Sequence, residues 1–218
     1  MGLEHPKPRQ PRRLTQFDGF MMLNVVALVG STAYAYAAAE WEFGLYATVT
    51  LGFVIALWHT LRRYPYPWWV LGLLQLAVVL HFAGGFVRLP PDSHTLYAHY
   101  VLGVRMDKIV HFLNAAIASV AVAHVYRAAG LRLGHLRGFV IVSTVAGLGT
   151  AIEIIEYFAV LTLPATGVGD YANLAGDLLM NALGAVAGYA VVRLARLFPE
   201  RAAEQAVSGG GARGSSPT

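Results

Sequence analysis

The sequence predicts an all-α polytopic membrane protein, a bundle of six transmembrane helices with both termini on the cytoplasmic side. Three observations carry this. The 218 residues are 56% hydrophobic and only 13% charged, where soluble domains carry about 25% charged residues. The apolar residues fall in long runs, each near the roughly 20 residues that cross about 30 Å of hydrocarbon. Thirteen of the 16 Lys and Arg lie in the two tails and in alternate connections, which the positive-inside rule assigns to the cytoplasm. The runs are too long for barrel strands and show no alternation of period two. A multi-pass protein of the cell membrane is expected.

Residues 1–19 form a basic cytoplasmic tail with Lys7, Arg9, Arg12 and Arg13. The first span is Phe20–Ala39. Ala37-Ala38-Ala39 resembles a signal-peptide cleavage site, but the apolar run exceeds the usual h-region of about 7–15 residues. Cleavage would also leave an odd number of spans, so a retained first span is the expectation, with cleavage kept as the alternative. Phe43–Leu61 is the second span, followed inside by Arg62 and Arg63, and Trp68–Val87 is the third. Tyr64, Tyr66 and the Trp68-Trp69 pair read as an interfacial aromatic belt.

The outer connection Arg88–Met106 is the longest, with Pro90-Pro91, Asp92, His94, Tyr97, His99 and Tyr100. It is read either as a lid over a polar pocket or as a plain surface loop. The remaining spans are Asp107–Tyr126, Phe139–Leu163 and Leu174–Ala195, with Arg127, Arg132 and Arg137 on the inner side between the first two. The transmembrane domain therefore covers 20–198. Residues 199–218 end in a Gly/Ser-rich run that cannot pack, and they are expected to form a disordered cytoplasmic tail.

Several function classes drop out. The net charge of +4 and pI near 9.5 belong to membrane topology and do not point to nucleic acid. Membrane lipids are the expected partners. The absence of cysteine removes disulfides, thiolate ligands and a Cys nucleophile. No internal repeat supports an inverted-repeat transporter.

The polar residues within the spans carry the chemistry. Glu153 and Glu156 stand one turn apart inside an apolar helix, where a charged group costs roughly 2.5–3.5 kcal/mol to insert. Asp107, Lys108 and His111 open the fourth span, and Asp177 and Asn181 lie early in the sixth. Under the predicted topology all of them fall in the outer half of the bilayer. Each set also shares a helix face: Asp107, His111 and Asn114; Gly149, Glu153 and Glu156; Asn173, Asp177, Asn181, Gly184 and Gly188. The last stripe ends in a small-xxx-small pattern suited to close helix contact. The fourth, fifth and sixth spans are therefore expected to pack with these stripes inward, while the first three wall the site.

Asp107, Glu153, Glu156 and Asp177 together carry more negative charge than Lys108 neutralises, so a divalent cation or protonated carboxyls must compensate. The candidate metal ligands are Asp107, His111, Glu153, Glu156 and Asp177, a set that suits Mg²⁺, Mn²⁺, Ca²⁺ or Zn²⁺. Glu153, Glu156, His111 and Asp177 are the candidate catalytic groups. Lys108, Arg105 and Asn181, beside two helix N-termini, are candidates for binding a phosphate-bearing or lipid-linked substrate. Plainer roles stay open: Asp107 and Asn173 as helix caps, Lys108 snorkelling to the interface, Asp177 and Asn181 as interhelical hydrogen bonds. His81, late in the third span, is a further candidate for the wall of the site.

The run Arg105-Met-Asp-Lys-Ile-Val-His-Phe112 resembles a signature of the YjdF-like bacterial inner-membrane proteins. Glu153-Ile-Ile-Glu156-Tyr157 is similar to that family's paired-glutamate helix. Gly169-Asp170-Tyr171 and Asp177 through Asn181 to Gly184-Ala185 are similar to its closing loop and helix. VanZ-like proteins share the Asp-Lys-x-x-His start and the Asp…Asn…Gly ending more distantly. The resemblance spans roughly residues 89–188. Tyr157 departs from it, standing where the relatives more often carry tryptophan. It implies a multi-span envelope protein and leaves its chemistry unnamed.

Three kinds of function fit these residues. One is a metal-assisted membrane enzyme acting on a lipid or lipid-linked envelope substrate. The second is a proton- or cation-coupled transporter, which needs polar groups continuing toward the cytoplasm; only Ser143, Thr144, Gln75 and Asn24 offer that. The third is a non-catalytic scaffold.

Overall fold

The computed structural model describes residues 14–90, 94–163, 166 and 169–197. The charged part of the first tail, the tail after Pro199, and Pro91 and Asp92 of the long connection lie outside the described residues. Six helices are long and apolar enough to cross a membrane: α1 (Gln16–Ala37), α2 (Trp41–Leu61), α3 (Trp68–Phe86), α4 (Met106–Ala128), α5 (Arg137–Thr162) and α6 (Tyr171–Leu194). Each coincides with a predicted span.

The differences lie at the helix starts, where caps decide. Thr15 caps α1 and makes it begin before Phe20. Its hydroxyl accepts from Asp18 N at 3.1 Å, and its own N–H donates to Asp18 Oδ2 at 2.9 Å. That reciprocal pair satisfies two otherwise orphaned donors. At α6 the cap is Asp170, whose Oδ1 accepts from Asn173 N at 2.9 Å. Asn173, read above as the cap, is thus inside the first turn with its side chain released for other work. Asp107 is not a cap either: α4 starts at Met106, and its N-cap is Arg105.

Between α3 and α4 the chain forms two minimal antiparallel hairpins. Strand β1 (Arg88–Leu89) pairs with β2 (His94–Thr95), and β3 (Tyr100–Val101) pairs with β4 (Val104–Arg105). A single 3₁₀ turn, Leu96–Ala98, separates them.

Helix α4 is the centre of the bundle, packing on α3, α5 and α6. Its approach to α6 is closest, because Gly184 and Gly188 rest against the backbone carbonyls of Phe112 and Ala116. Ser119 adds a hydrogen bond to the Ala185 carbonyl at 3.0 Å. Gly149 of α5 faces the Asn181 side chain of α6 in the same way. Helices α1 and α2 pack as a pair.

The apolar core and the polar stripes occupy opposite ends of the bundle. Phe17, Met21, Tyr66, Val70, Val120, Ile141 and Val192 form the buried cluster at the end holding the α1 and α3 N-termini. At the other end the buried side chains include Asp107, Glu153, Asp177 and Asn181. Outward rows such as Val26, Phe53, Val79, Leu161 and Val186 are exposed. That is the expected state of a helix face solvated by lipid.

Candidate functional site

His111 stands between two carboxylates from two other helices. Its Nδ1 is 3.4 Å from Glu153 Oε1 of α5, and its Nε2 is 3.5 Å from Asp177 Oδ1 of α6. Both carboxylates are 2% exposed. One ligand atom from each of the three residues falls within a set spanning at most 4.8 Å. A neutral imidazole carries one N–H, so it can donate to only one of two flanking carboxylates. The other contact needs a proton or a cation to become attractive.

A second layer neutralises part of this charge. Lys108 Nζ lies 2.7 Å from Asp177 Oδ1 and 3.6 Å from Asp107 Oδ2. Arg105 Nη2 lies 3.1 Å from Asp107 Oδ2. Asn173 ties these cations to α6: its Oδ1 accepts from Arg105 Nη1 at 3.0 Å and from Lys108 Nζ at 2.9 Å. Its Nδ2 donates to Asp177 Oδ2 at 3.0 Å. Asn181 Nδ2 donates to Glu153 Oε1 at 3.2 Å. Glu153 Oε2 is buried and has no hydrogen-bond partner among the described residues. A buried orphan of this kind costs roughly 1–3 kcal/mol or more when charged.

The expected stripes thus converge. His111, Glu153 and Asp177 form the central triad of side chains, with Lys108, Arg105 and Asp107 beside it. Asn181 orients Glu153. Glu156 lies outside the triad, half-buried, and makes no hydrogen bond or ion pair among the described residues. It still feels the charges of Asp177, Glu42 and Lys108. Asn114 keeps its Oδ1 buried and unpartnered.

The long connection packs on α3 and α4 at this end. The Tyr97 ring fills the space over Gly84, where a side chain would collide with it. Its hydroxyl donates to the His81 carbonyl at 3.0 Å and lies 2.9 Å from His81 Nδ1. Donation to the carbonyl leaves the phenol oxygen to accept from Nδ1–H, which selects that tautomer of His81. Burial raises the Tyr97 phenol above its ordinary range, helped by the negative charges of Glu156, Asp107 and Asp177. It stays protonated and able to donate.

Four contributors were not given their roles by sequence reasoning. Asn173 stands on the inward stripe through its four-residue spacing to Asp177, but the alternative of a helix cap left its side-chain role unassigned. Tyr46 and Glu42 of α2 lie within electrostatic range of Glu156. They share that same helical spacing, but α2 was treated as plain wall. Tyr97 had no periodic signal at all, because it sits in a loop.

Fold and site together define a multi-pass helical membrane protein with a His–Glu–Asp cluster at one end of its bundle. The chain belongs to the family described as Predicted membrane protein (DUF2238), whose model matches residues 18–197. That match runs across all six helices and includes every residue of the cluster. No curated protein and no solved structure matches the chain.

Proposed function

We propose that the protein is a metal-assisted enzyme acting on a phosphate-bearing lipid or lipid-linked envelope precursor at the outer leaflet of the cell membrane. The observation that carries this reading is His111 flanked at both nitrogens by buried carboxylates. One ring nitrogen would ligate a divalent ion, and the other would give its N–H to the remaining carboxylate, an arrangement that orients many metal-bound histidines. His111 and the carboxylate beside that nitrogen would hold the ion, the other carboxylate would orient the ring, and the ion would supply Lewis-acid polarisation of an oxygen when bound.

Charge supports the same reading. Asp107, Glu153, Glu156 and Asp177 face Arg105 and Lys108, an excess of two negative charges that one divalent ion balances. Lys108 and Arg105, braced by Asn173 at the N-terminus of α6, are placed to bind phosphate. Glu156, with no ion-pair partner, is positioned to exchange a proton with a reacting group. The relation to YjdF-like proteins, and more distantly to VanZ-like ones, belongs to this proposal, as does the placement of both termini in the cytoplasm.

A carrier reading needs polar groups reaching the opposite end. Several of those present there are paired with one another. Asn24 Nδ2 donates to Gln75 Oε1 at 3.1 Å, Tyr126 OH is 2.7 Å from Thr144 Oγ1, and Trp58 Nε1 donates to Asp18 Oδ1 at 2.7 Å. Closed pairs of this kind favour an enzyme over a conduit.

The test is metal analysis of detergent-purified wild type beside Glu153→Gln and Asp177→Asn. We expect close to one divalent ion per wild-type chain, lost in both variants while helicity is kept. Wild type that stays metal-free after incubation with Mg²⁺, Mn²⁺, Ca²⁺ and Zn²⁺ sinks the reading.

A further inference from the structure

The β3–β4 hairpin breaks two local rules at once. Its two-residue turn is Leu102-Gly103, with φ of 51° and 79°. Positive φ at both positions is what a type I′ turn requires, and asparagine or aspartate normally takes the first of them. A leucine there is strained by its Cβ. That same Leu102 is 100% exposed. The chain therefore accepts backbone strain to place a large apolar side chain at the tip, where no protein contact repays it.

The flanking residues have the same character. Tyr100, Val101 and Val104 are all exposed, so the whole tip from 100 to 104 presents apolar surface. Such a tip in water would be an aggregation liability. It is not far from lipid. Strand β4 ends at Arg105 and α4 begins at the next residue, so the hairpin is attached directly to a membrane-spanning helix at its entry. Phe86 and Val87, where α3 ends and the connection begins, are exposed as well. The apolar tip thus lies close to helix ends that themselves face lipid.

We propose that the β3–β4 hairpin is a membrane-surface anchor, with Leu102 and Tyr100 inserted among the headgroups and upper acyl chains beside α4. The occupant of this surface is the bilayer itself. Aliphatic and aromatic side chains on a short amphipathic element are stabilised at that depth. Insertion also sets the height of Arg105, which directly follows the hairpin and holds Asp107 and Asn173. The anchor keeps this end of the molecule level with lipid phosphates. The proposal stands on the hairpin alone and does not depend on a metal.

The chain has no cysteine, so a Leu102→Cys variant accepts a single nitroxide label. The full chain is reconstituted in vesicles of phosphatidylethanolamine and phosphatidylglycerol. Collision of the label with oxygen, which partitions into lipid, is compared with collision with a water-soluble nickel chelate. A label at Val186→Cys on the exposed face of α6 gives the lipid reference, and free label in buffer gives the aqueous one. We expect the oxygen-to-nickel ratio at position 102 to rise severalfold above the aqueous reference, toward that of position 186. Tyr100→Cys should behave alike, and serves if Leu102→Cys does not fold. A ratio equal to free label overturns the proposal. So does a label shielded from both agents, which would mean that a protein surface such as a second copy covers the tip.

Discussion

Gly184 of α6 lies directly against the backbone carbonyl of Phe112 in α4, one residue beyond His111. This contact sets how close the two helices come, and hence whether His111 can reach Asp177. A Cβ at position 184 would meet backbone, which cannot swing aside as a side chain can. Overpacking of this kind costs about 1–3 kcal/mol. Gly184→Ala is expected to lower the thermal unfolding midpoint in detergent, and Gly188→Ala to do likewise against Ala116. Gly147→Ala, where nothing lies within 4 Å, is the control and should be neutral. Equal midpoints for all three would show that the α4–α6 spacing is not set by these glycines.

Asn173 is the hinge pin between the cations and α6. Its side chain accepts from Arg105 and Lys108 and donates to Asp177. Asn173→Ala should leave the helices intact, because Asp170 and not Asn173 caps α6. It should weaken binding of a short-chain phosphatidic acid about tenfold, on the order of one charge-assisted hydrogen bond. Titration calorimetry in micelles measures this. Unchanged affinity would remove Arg105 and Lys108 from the proposed phosphate subsite.

At the opposite end, Asp18 holds three partners at once. It accepts from Thr15 and from Trp58 Nε1, with Arg62 Nε 3.8 Å away. Asp18→Ala strands the half-buried indole N–H of Trp58 and opens the capping box, for a loss of about 2 kcal/mol. The unfolding midpoint should drop while metal content stays at the wild-type level. Asp18→Asn, which keeps an acceptor for Trp58, should lose less. A substitution that altered metal content would couple the two ends in a way the geometry does not provide for.

Tyr97→Phe removes the hydroxyl that joins the long connection to His81 and leaves the ring over Gly84. Loss of hydrogen bonding worth about 1–1.5 kcal/mol makes local opening roughly tenfold more frequent. Amide hydrogen exchange across residues 94–105 should speed up accordingly, with α4 and α6 unchanged. Exchange that did not change would mean the connection is held by the ring and by Arg105 alone.

Much of the candidate site was legible in the sequence, for a physical reason. Lipid makes buried carboxylates expensive, so Glu153 and Asp177 stood out against their apolar runs. Helical periodicity then placed them on shared faces with Gly149 and Asn181. What escaped notice lacked one of these two signals. Asp18 sits at the end of a span and looked like part of a basic tail, while its partner Trp58 is forty residues away. Tyr97 lies in a loop, where no period relates it to His81. Asn173 displayed the right spacing, yet its type is also a common cap, and only the position of Asp170 distinguishes the two uses.

The amino-acid sequence by itself determined the six spans, because about 20 apolar residues per run leave helical crossing as the stable solution in lipid. It also determined which faces turn inward, since 3.6 residues per turn leaves little choice. Only the tertiary structure decided which polar atoms meet. Contact between His111, Glu153 and Asp177 depends on the relative height and rotation of three separate helices. Those are set by backbone approach at Gly184, Gly188 and Gly149, a matter of ångströms that no one-dimensional pattern encodes.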